Sequence, residues 1–92
     1  MSPIETVYLI ASAACVDALI LAEAAIASAG YTATSFADFG SYEGATPALL
    51  TSAAVVLVDG WESSPGARSQ VDLAAAFGKP VLSISDLQPL AA

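Results

Sequence analysis

Short apolar runs alternate along the chain with longer segments of helical pattern. The apolar runs cover residues 6–11, 31–36, 54–58 and 80–85, and we interpret each as a β-strand. The pattern between them predicts helices over residues 13–29, 47–52 and 65–77, with residues 86–92 as a tail. Strands that alternate with helices imply right-handed crossovers and a parallel sheet. We therefore predict an α/β fold, a three-layer sandwich around a four-stranded parallel sheet of order 2-1-3-4.

Capping residues mark the ends of the predicted helices. The pairs Thr46-Pro47 and Ser64-Pro65 each combine an N-cap side chain with proline at the first helical position. Lys79 follows the third helix, where a cation interacts favourably with the negative end of the helix dipole.

Helical wheels predict which side chains face the sheet. On the first helix the inward face carries four large apolar residues, with Glu23 out of place among them: Val16, Leu19, Ile20 and Ile26. On the third helix the inward face carries one polar residue among apolar ones: Gln70 with Ala67, Leu73, Ala74 and Phe77.

The predicted topology selects three loops as the candidate ligand site. In open parallel sheets ligands bind beyond the carboxyl ends of the strands, at the switch point, which here lies between the first and third strands. The loops that meet there are residues 12–15, 37–46 and 59–66. Ser12 and Phe36 border the first two loops and are candidate ligand contacts.

The third loop is the richest in candidate chemistry, and its candidates are Asp59, Gly60, Trp61, Glu62, Ser64 and Gly66. Trp61 can stack on a base, or it can equally pack under its own loop or in a subunit contact. The helix after Ser64 can hold an anion at its N-terminus, but Asp59 and Glu62 work against phosphate. A neutral or sugar-hydroxyl ligand therefore fits better than a triphosphate, unless the two carboxylates are simply solvated.

Gln70 and Cys15 are the remaining side chains with chemistry near these loops. Gln70 can hydrogen-bond a ligand, but an amide is neither a carboxylate nucleophile nor a proton-transferring base. The alternative is a structural amide whose hydrogen bonds lie within the protein. We interpret Cys15 as an inert thiol in apolar surroundings rather than an activated one.

The net charge of −7 excludes several classes of partner. The two basic residues, Arg68 and Lys79, face nine acidic ones, so no basic patch is present for nucleic acid or for an anionic membrane. The chain has no histidine and a single cysteine. These counts exclude histidine triads, the usual zinc sites and an intrachain disulfide. We therefore expect neither a metal nor a cofactor.

The 92 residues suit a single domain over residues 1–92. A domain of this size buries little interior, so we expect a homo-oligomer. The uncharged runs over residues 6–16 and 44–58 are shorter than the roughly 20 apolar residues that a membrane span needs. Because no basic region precedes the first apolar run, we expect no signal peptide and a cytoplasmic location.

These motifs resemble a known group of proteins. The most specific motif is Gly60-Trp61-Glu62-x-Ser64-x-Gly66-Ala67, followed by residues 74–76 and 78–81. Residues 7–10, 30–31 and 49–50 add weaker support. On these residues most of the chain resembles the nucleoside 2-deoxyribosyltransferases, and more closely the small related domains of uncharacterised function found in phages and bacteria.

The resemblance implies a flavodoxin-like or Rossmann-like fold and an oligomer with sites near subunit contacts. It also implies cleavage of the N-glycosidic bond of a deoxynucleoside by a glutamate at the start of the third helix. That glutamate is expected four residues after Gly66, where this chain has Gln70. Because glutamine is a poor nucleophile, covalent double displacement is not expected.

Three further family features are absent from the sequence. The Gly-Pro pair expected after the first strand is replaced by residues 11–13, and the Asn-Pro-Ala turn after the second strand by residues 35–37. The acidic residue expected near Thr46-Pro47 is also missing.

Three hypotheses follow for the function. The first is a catalytically inactive relative that binds a nucleoside, a nucleotide or an NAD-derived metabolite. The second is an active N-glycosidase or deoxyribosyltransferase that uses Asp59 or Glu62. The third is a homo-oligomeric protein-interaction module, favoured by the acidic, alanine-rich composition and by Glu23 in an apolar stripe.

Overall fold

Four parallel strands form the centre of the fold in the computed structural model, which describes residues 6–12 and 14–83. The strands are β1 (Thr6–Ile10), β2 (Thr32–Ser35), β3 (Ala54–Leu57) and β4 (Val81–Ser83), in the order β2-β1-β3-β4. Three α-helices connect them, α1 (Val16–Ser28), α2 (Thr46–Thr51) and α3 (Pro65–Ala76), together with short 3₁₀ helices at Phe36–Asp38 and Trp61–Ser63. The predicted α/β fold and strand order are confirmed. The predicted strand end at residues 84–85 and the tail at 86–92 lie outside the described residues.

The central strand β1 directs alternate side chains to opposite faces of the sheet. Val7 and Leu9 pack on one face beneath α1, whereas Tyr8 and Ile10 pack on the other beneath α2 and α3. All four are buried, which explains why β1 is apolar along its length rather than alternating. Tyr8 is thereby carried into the layer between the sheet and α3.

Helix α1 covers the first face of the sheet. Its buried residues are Leu19, Ala22 and Ile26, at a spacing that forms one line along the helix. The predicted inward positions of Val16 and Ile20 are wrong, since these side chains are 51% and 58% exposed. The error has a physical cause, because α1 carries apolar residues on nearly every side and periodicity cannot select the buried one.

Helices α2 and α3 cover the second face. The inward position of Gln70 is confirmed, and it lies between the buried Ala67 and Ala74. The inward position predicted for Phe77 is wrong, since its side chain is 63% exposed. Phe77 is the C-cap residue, where the helical backbone ends, so extrapolating the helical wheel to it is not valid.

The two predicted N-caps differ in outcome. The Ser64 hydroxyl accepts a hydrogen bond from the Ala67 N–H at 3.3 Å and caps α3 as predicted. Thr46 is not the cap of α2, because Ala45 holds that position. The Thr46 hydroxyl donates back to the Tyr42 carbonyl at 3.5 Å.

Lys79 stabilises the end of a different helix from the one predicted. Its ammonium donates to the Ser52 carbonyl at 2.6 Å. Ser52 is the C-cap residue of α2, so the cation satisfies a terminal carbonyl of α2 rather than of α3.

Candidate functional site

A cavity of about 420 Å³ opens between the loop before α2 and the exposed edge of α3. The loop contributes Tyr42 and Glu43, and α3 contributes Gly66, Gln70 and Leu73. The volume lies within the range of small-molecule sites. Both the loop and the start of α3 follow the carboxyl ends of strands, where ligands bind in this kind of sheet.

The helical repeat explains why α3 supplies this wall. Gly66, Gln70 and Leu73 are spaced by four and three residues, so they lie on one side of the helix. Gly66 belongs to the first turn, next to the Ser64 cap, and Leu73 lies two turns further on. The cavity therefore extends along α3 from its N-terminus.

Tyr42 forms the opposite wall and is held in place at both ends. Its hydroxyl donates to the carbonyl of Ala11, just beyond β1, at 2.7 Å. The Ser64 and Tyr42 hydroxyls are 3.2 Å apart, and Ser64 is the donor because the Tyr42 hydrogen is already used. The Tyr42 ring stacks on Phe36, with centroids 4.5 Å apart and planes at 23°.

Gly66 allows the Tyr42 ring to approach α3. A Cβ atom at Gly66 would lie 2.5 Å from Cδ2 and 2.7 Å from Cε2 of that ring. Such contacts are far below van der Waals distance, so any larger residue would displace Tyr42. The glycine is therefore required by close packing within the site.

Gln70 is the most informative residue of the cavity. Its side chain is 3% exposed, and Nε2 donates to the Tyr8 hydroxyl at 2.6 Å. The other amide atom, Oε1, is buried and has no hydrogen-bond partner among the described residues. An unpaired buried carbonyl costs roughly 1–3 kcal/mol. Gln70 lines the cavity, and a ligand donor that reached Oε1 would remove this cost.

Tyr8 remains a neutral phenol throughout the physiological range. Burial raises the pKa of its hydroxyl to about 12, although the hydrogen bond from Gln70 acts in the opposite direction. Tyr42 and Asp38 add smaller contributions that also raise the pKa. The neutral Tyr8 hydroxyl therefore accepts the hydrogen bond from Gln70 and brings no negative charge to the cavity.

Four of the predicted site residues belong to this cavity or to its support. Gly66 and Gln70 line it directly. Ser64 and Phe36 contact Tyr42 and fix the position of its ring.

The other candidates of the third loop lie elsewhere. Asp59 lines a second cavity of about 170 Å³ beside α1 rather than the larger one. Trp61 is half-buried and packs against the core beneath α2 and α3, and Glu62 is exposed. Neither lines the larger cavity, and stacking of Trp61 on a ligand stays a prediction.

Gly60 and Ser12 both contact residues of the first loop. Gly60 has a φ of +94°, and a Cβ there would lie 2.7 Å from the Cys15 sulfur. This position thus connects the first and third loops through close packing. The Ser12 side chain is buried, and its hydroxyl accepts a hydrogen bond from the Ala14 N–H at 3.2 Å.

Sequence reasoning missed Tyr42, Glu43 and Ser69 as cavity residues. Tyr42 and Glu43 lie in residues 37–46, the second loop that the predicted topology selects. The position of this loop at the ligand edge of the sheet could therefore have indicated both residues. Ser69 precedes Gln70 on α3. Glu43 also places a carboxylate in the cavity three residues before Thr46, the position near which the resemblance led us to expect one.

Comparisons of the chain with protein-family models, with curated proteins and with solved structures gave no match. The resemblance to the deoxyribosyltransferases therefore stays a prediction. Within residues 6–12 and 14–83, no three His, Cys, Asp or Glu side chains group closely enough to hold a metal ion. In the same part of the chain, no helix has the length and apolar character to cross a membrane.

Proposed function

We propose that this protein binds a nucleoside, a nucleotide or an NAD-derived metabolite between Tyr42 and α3, without covalent transferase activity. The observation that carries the proposal is the buried, unpaired Oε1 of Gln70 at a cavity of about 420 Å³. Native proteins leave few buried polar atoms unpaired, and a ligand that donates a hydrogen bond to Oε1 would satisfy this one.

The site supports binding better than catalysis. Gln70 occupies the position at which the resemblance implies a glutamate nucleophile, and an amide cannot form a stable glycosyl ester or transfer a proton. One N–H of Nε2 donates to the Tyr8 hydroxyl, which anchors the side chain to β1. These features fit recognition of a bound sugar or base.

An active glycosidase that uses Asp59 or Glu62 receives no support from the geometry. Asp59 lines the smaller cavity, and Glu62 is exposed outside the larger one. The carboxylate that lines the larger cavity is Glu43.

Native mass spectrometry of the purified protein with nucleosides, nucleotides and NAD derivatives tests the proposal. We expect a ligand adduct of unchanged ligand mass, and loss of that adduct in the variant Gln70→Met. Asp72→Asn is the matched control, because Asp72 is exposed on α3 away from the cavity. A protein that binds no member of the panel would contradict the proposal.

We also propose that the protein is a homo-oligomer, the partner being a second copy of the chain. Val16 and Ile20, one turn apart on α1, are both more than half exposed. Burying such side chains against a partner removes apolar surface from water and so stabilises the fold. A domain of 92 residues gains more from this than a larger one, because it buries a smaller fraction of its own surface. Light scattering coupled to gel filtration, on the wild type and on Ile20→Glu, measures this directly.

A further inference from the structure

The second cavity, of about 170 Å³, lies between α1 and the end of β3, on the opposite face of the sheet from α3. We call it the α1 groove, and its lining is apolar except for one carboxylate: Ala18, Leu21, Ala22, Val58 and Asp59. Leu21 is the largest apolar side chain of this lining and is 72% exposed. A large apolar side chain left in water beside a concave apolar surface is typical of a contact site for a partner.

The first face of the sheet is wide enough for a second helix beside α1. Neighbouring strands lie about 4.8 Å apart, so the outer two of four strands are about 14 Å apart. A helix with its side chains is roughly 10–12 Å wide. Two helices, α2 and α3, pack on the second face, whereas α1 is the one helix on the first face among the described residues.

The edge strand β4 shows where this second helix would lie. Leu82 is in register with Val56, so both side chains point to the first face. Val56 is fully buried, whereas Leu82 is half-buried, and the core beneath α1 includes no described residue of β4. Because β4 lies next to β3, Leu82 extends the apolar surface of the α1 groove towards the edge of the sheet.

The charges beside the α1 groove are negative. Asp59 lines the groove, and Asp17 lies in the first turn of α1, four residues before Leu21 and therefore next to it on the helix surface. Neither basic residue of the chain offsets these charges. Arg68 lies on α3, and Lys79 donates to a carbonyl at the end of α2.

This combination of apolar surface and negative charge indicates the chemistry of the partner. A second copy of the chain, with its net charge of −7, would place the same carboxylates against these, and like charges across an interface are repulsive. A cationic partner is instead attracted. An amphipathic helix with basic flanks supplies both features, because its apolar side chains recur every three or four residues along one face.

We propose that the α1 groove is the docking site for a basic, amphipathic helix of another protein. This helix packs beside α1, with its apolar side chains against Leu21 and Leu82 and with a lysine or arginine against Asp59.

This docking site differs from both sites of the proposed function. The cavity beside Tyr42 lies on the second face of the sheet. The contact proposed for the homo-oligomer uses Val16 and Ile20, and consecutive residues such as Ile20 and Leu21 point about 100° apart around a helix. The proposal therefore stands or falls independently of nucleoside binding and of the subunit count.

Selection from a phage-displayed library of helical peptides tests the proposal. The wild type is the bait, and peptides that also bind Leu21→Asp are removed. We expect the remaining peptides to carry a net positive charge and apolar residues at helical spacing. A selection that leaves no peptides, or leaves neutral or acidic ones, would overturn the proposal.

Isothermal titration of one selected peptide then measures the contribution of each side chain. Leu21→Asp should weaken binding at least about tenfold. Asp59→Asn should weaken it about two- to fivefold at low salt, as expected for an exposed ion pair, and less at high salt. Phe77→Asp and Asp72→Asn are the matched controls on α3, since both residues are exposed there, and they should leave the affinity unchanged.

The same variants distinguish the other occupants of the groove. If the controls weaken binding as much as the groove variants, net charge alone explains the binding and the proposal is overturned. If Leu21→Asp changes the subunit count in gel filtration, the occupant is a second copy of the chain. If it lowers the melting temperature far more than Phe77→Asp does, a segment of the chain itself covers Leu21. Either result overturns docking of another protein at this site.

Discussion

The ring of Tyr42 lies directly against the backbone of Gly66, where a single added methyl group would approach Cδ2 to 2.5 Å. This contact joins the loop before α2 to the first turn of α3 and so defines the width of the cavity. It also explains why the residue after Ser64-Pro65 is glycine, although its backbone is helical.

Gly66→Ala is expected to displace Tyr42 and destabilise the protein by about 1–3 kcal/mol, the usual cost of overpacking. The displaced hydroxyl would also lose its hydrogen bond to Ala11. Urea unfolding measures the change. In the background of Tyr42→Ala the same substitution should cost almost nothing, since the clashing ring is gone. An equal cost in both backgrounds would contradict the packing explanation.

Tyr8→Phe is expected to destabilise the protein by roughly 1–3 kcal/mol at neutral pH, because the buried Nε2 of Gln70 then has no acceptor. Chemical unfolding at pH 7 measures this. Tyr31→Phe is the matched control, since Tyr31 is half-buried and loses the same atom. A similar loss for both variants would contradict a specific role for the Tyr8 hydroxyl.

The pKa of Tyr8 also predicts a pH dependence of stability. The folded value of about 12 exceeds the ordinary value of 10.0, so the folded state holds the proton more tightly than the unfolded state. The resulting stabilisation is complete below pH 10 and is lost as the pH rises towards 12. The free energy of unfolding should fall less steeply over this window in Tyr8→Phe than in the wild type. Parallel curves would contradict the raised pKa.

The two basic residues provide a paired test of the α2 cap. Lys79→Met removes the donor to the Ser52 carbonyl while keeping a long apolar stem, and should cost about 1 kcal/mol. Arg68→Met, at an exposed position on α3, should change stability by less than about 0.5 kcal/mol. Thermal unfolding of both variants gives the comparison, and equal effects would show that the cap contributes nothing.

The sheet order could be predicted from the sequence because it depends on the alternation of strands and helices. Residues 54–58 and 6–11 are apolar runs of strand length, and parallel topology follows from the helices between them. The buried side of α1 could not be predicted, since Ile20 and Leu19 are equally apolar and packing against the sheet alone decides between them.

The candidate site was predicted in part. Gln70 was identified because a polar residue on an inward helical face is conspicuous in sequence. Tyr42 was not, because nothing local shows that its ring reaches across to Gly66 or that its hydroxyl reaches Ala11. Trp61 is a large aromatic residue in a loop at the ligand edge of the sheet, and its sequence position alone favours a ligand contact. In the structure it packs against the core.

The family resemblance, which stays a prediction, implies a glutamate nucleophile where this chain has Gln70, and we therefore predict no cleavage of nucleosides. The wild type should release no free base from nucleosides, as measured by chromatography over long incubations. Gln70→Glu places a carboxylate at that position, and if the resemblance holds we expect it to release base at a slow but detectable rate. Release by the wild type that is lost in Asp59→Asn or Glu62→Gln would instead support an active glycosidase.

The central claim is that the unpaired Oε1 of Gln70 serves a ligand, and one paired measurement on Gln70→Met tests it most directly. We expect this variant to change little in thermal stability, because removal of the unpaired Oε1 offsets the lost hydrogen bond to Tyr8, while nucleoside binding falls at least about tenfold. If Gln70→Met instead loses stability and binds nucleosides as the wild type does, the amide is structural and the claim is contradicted.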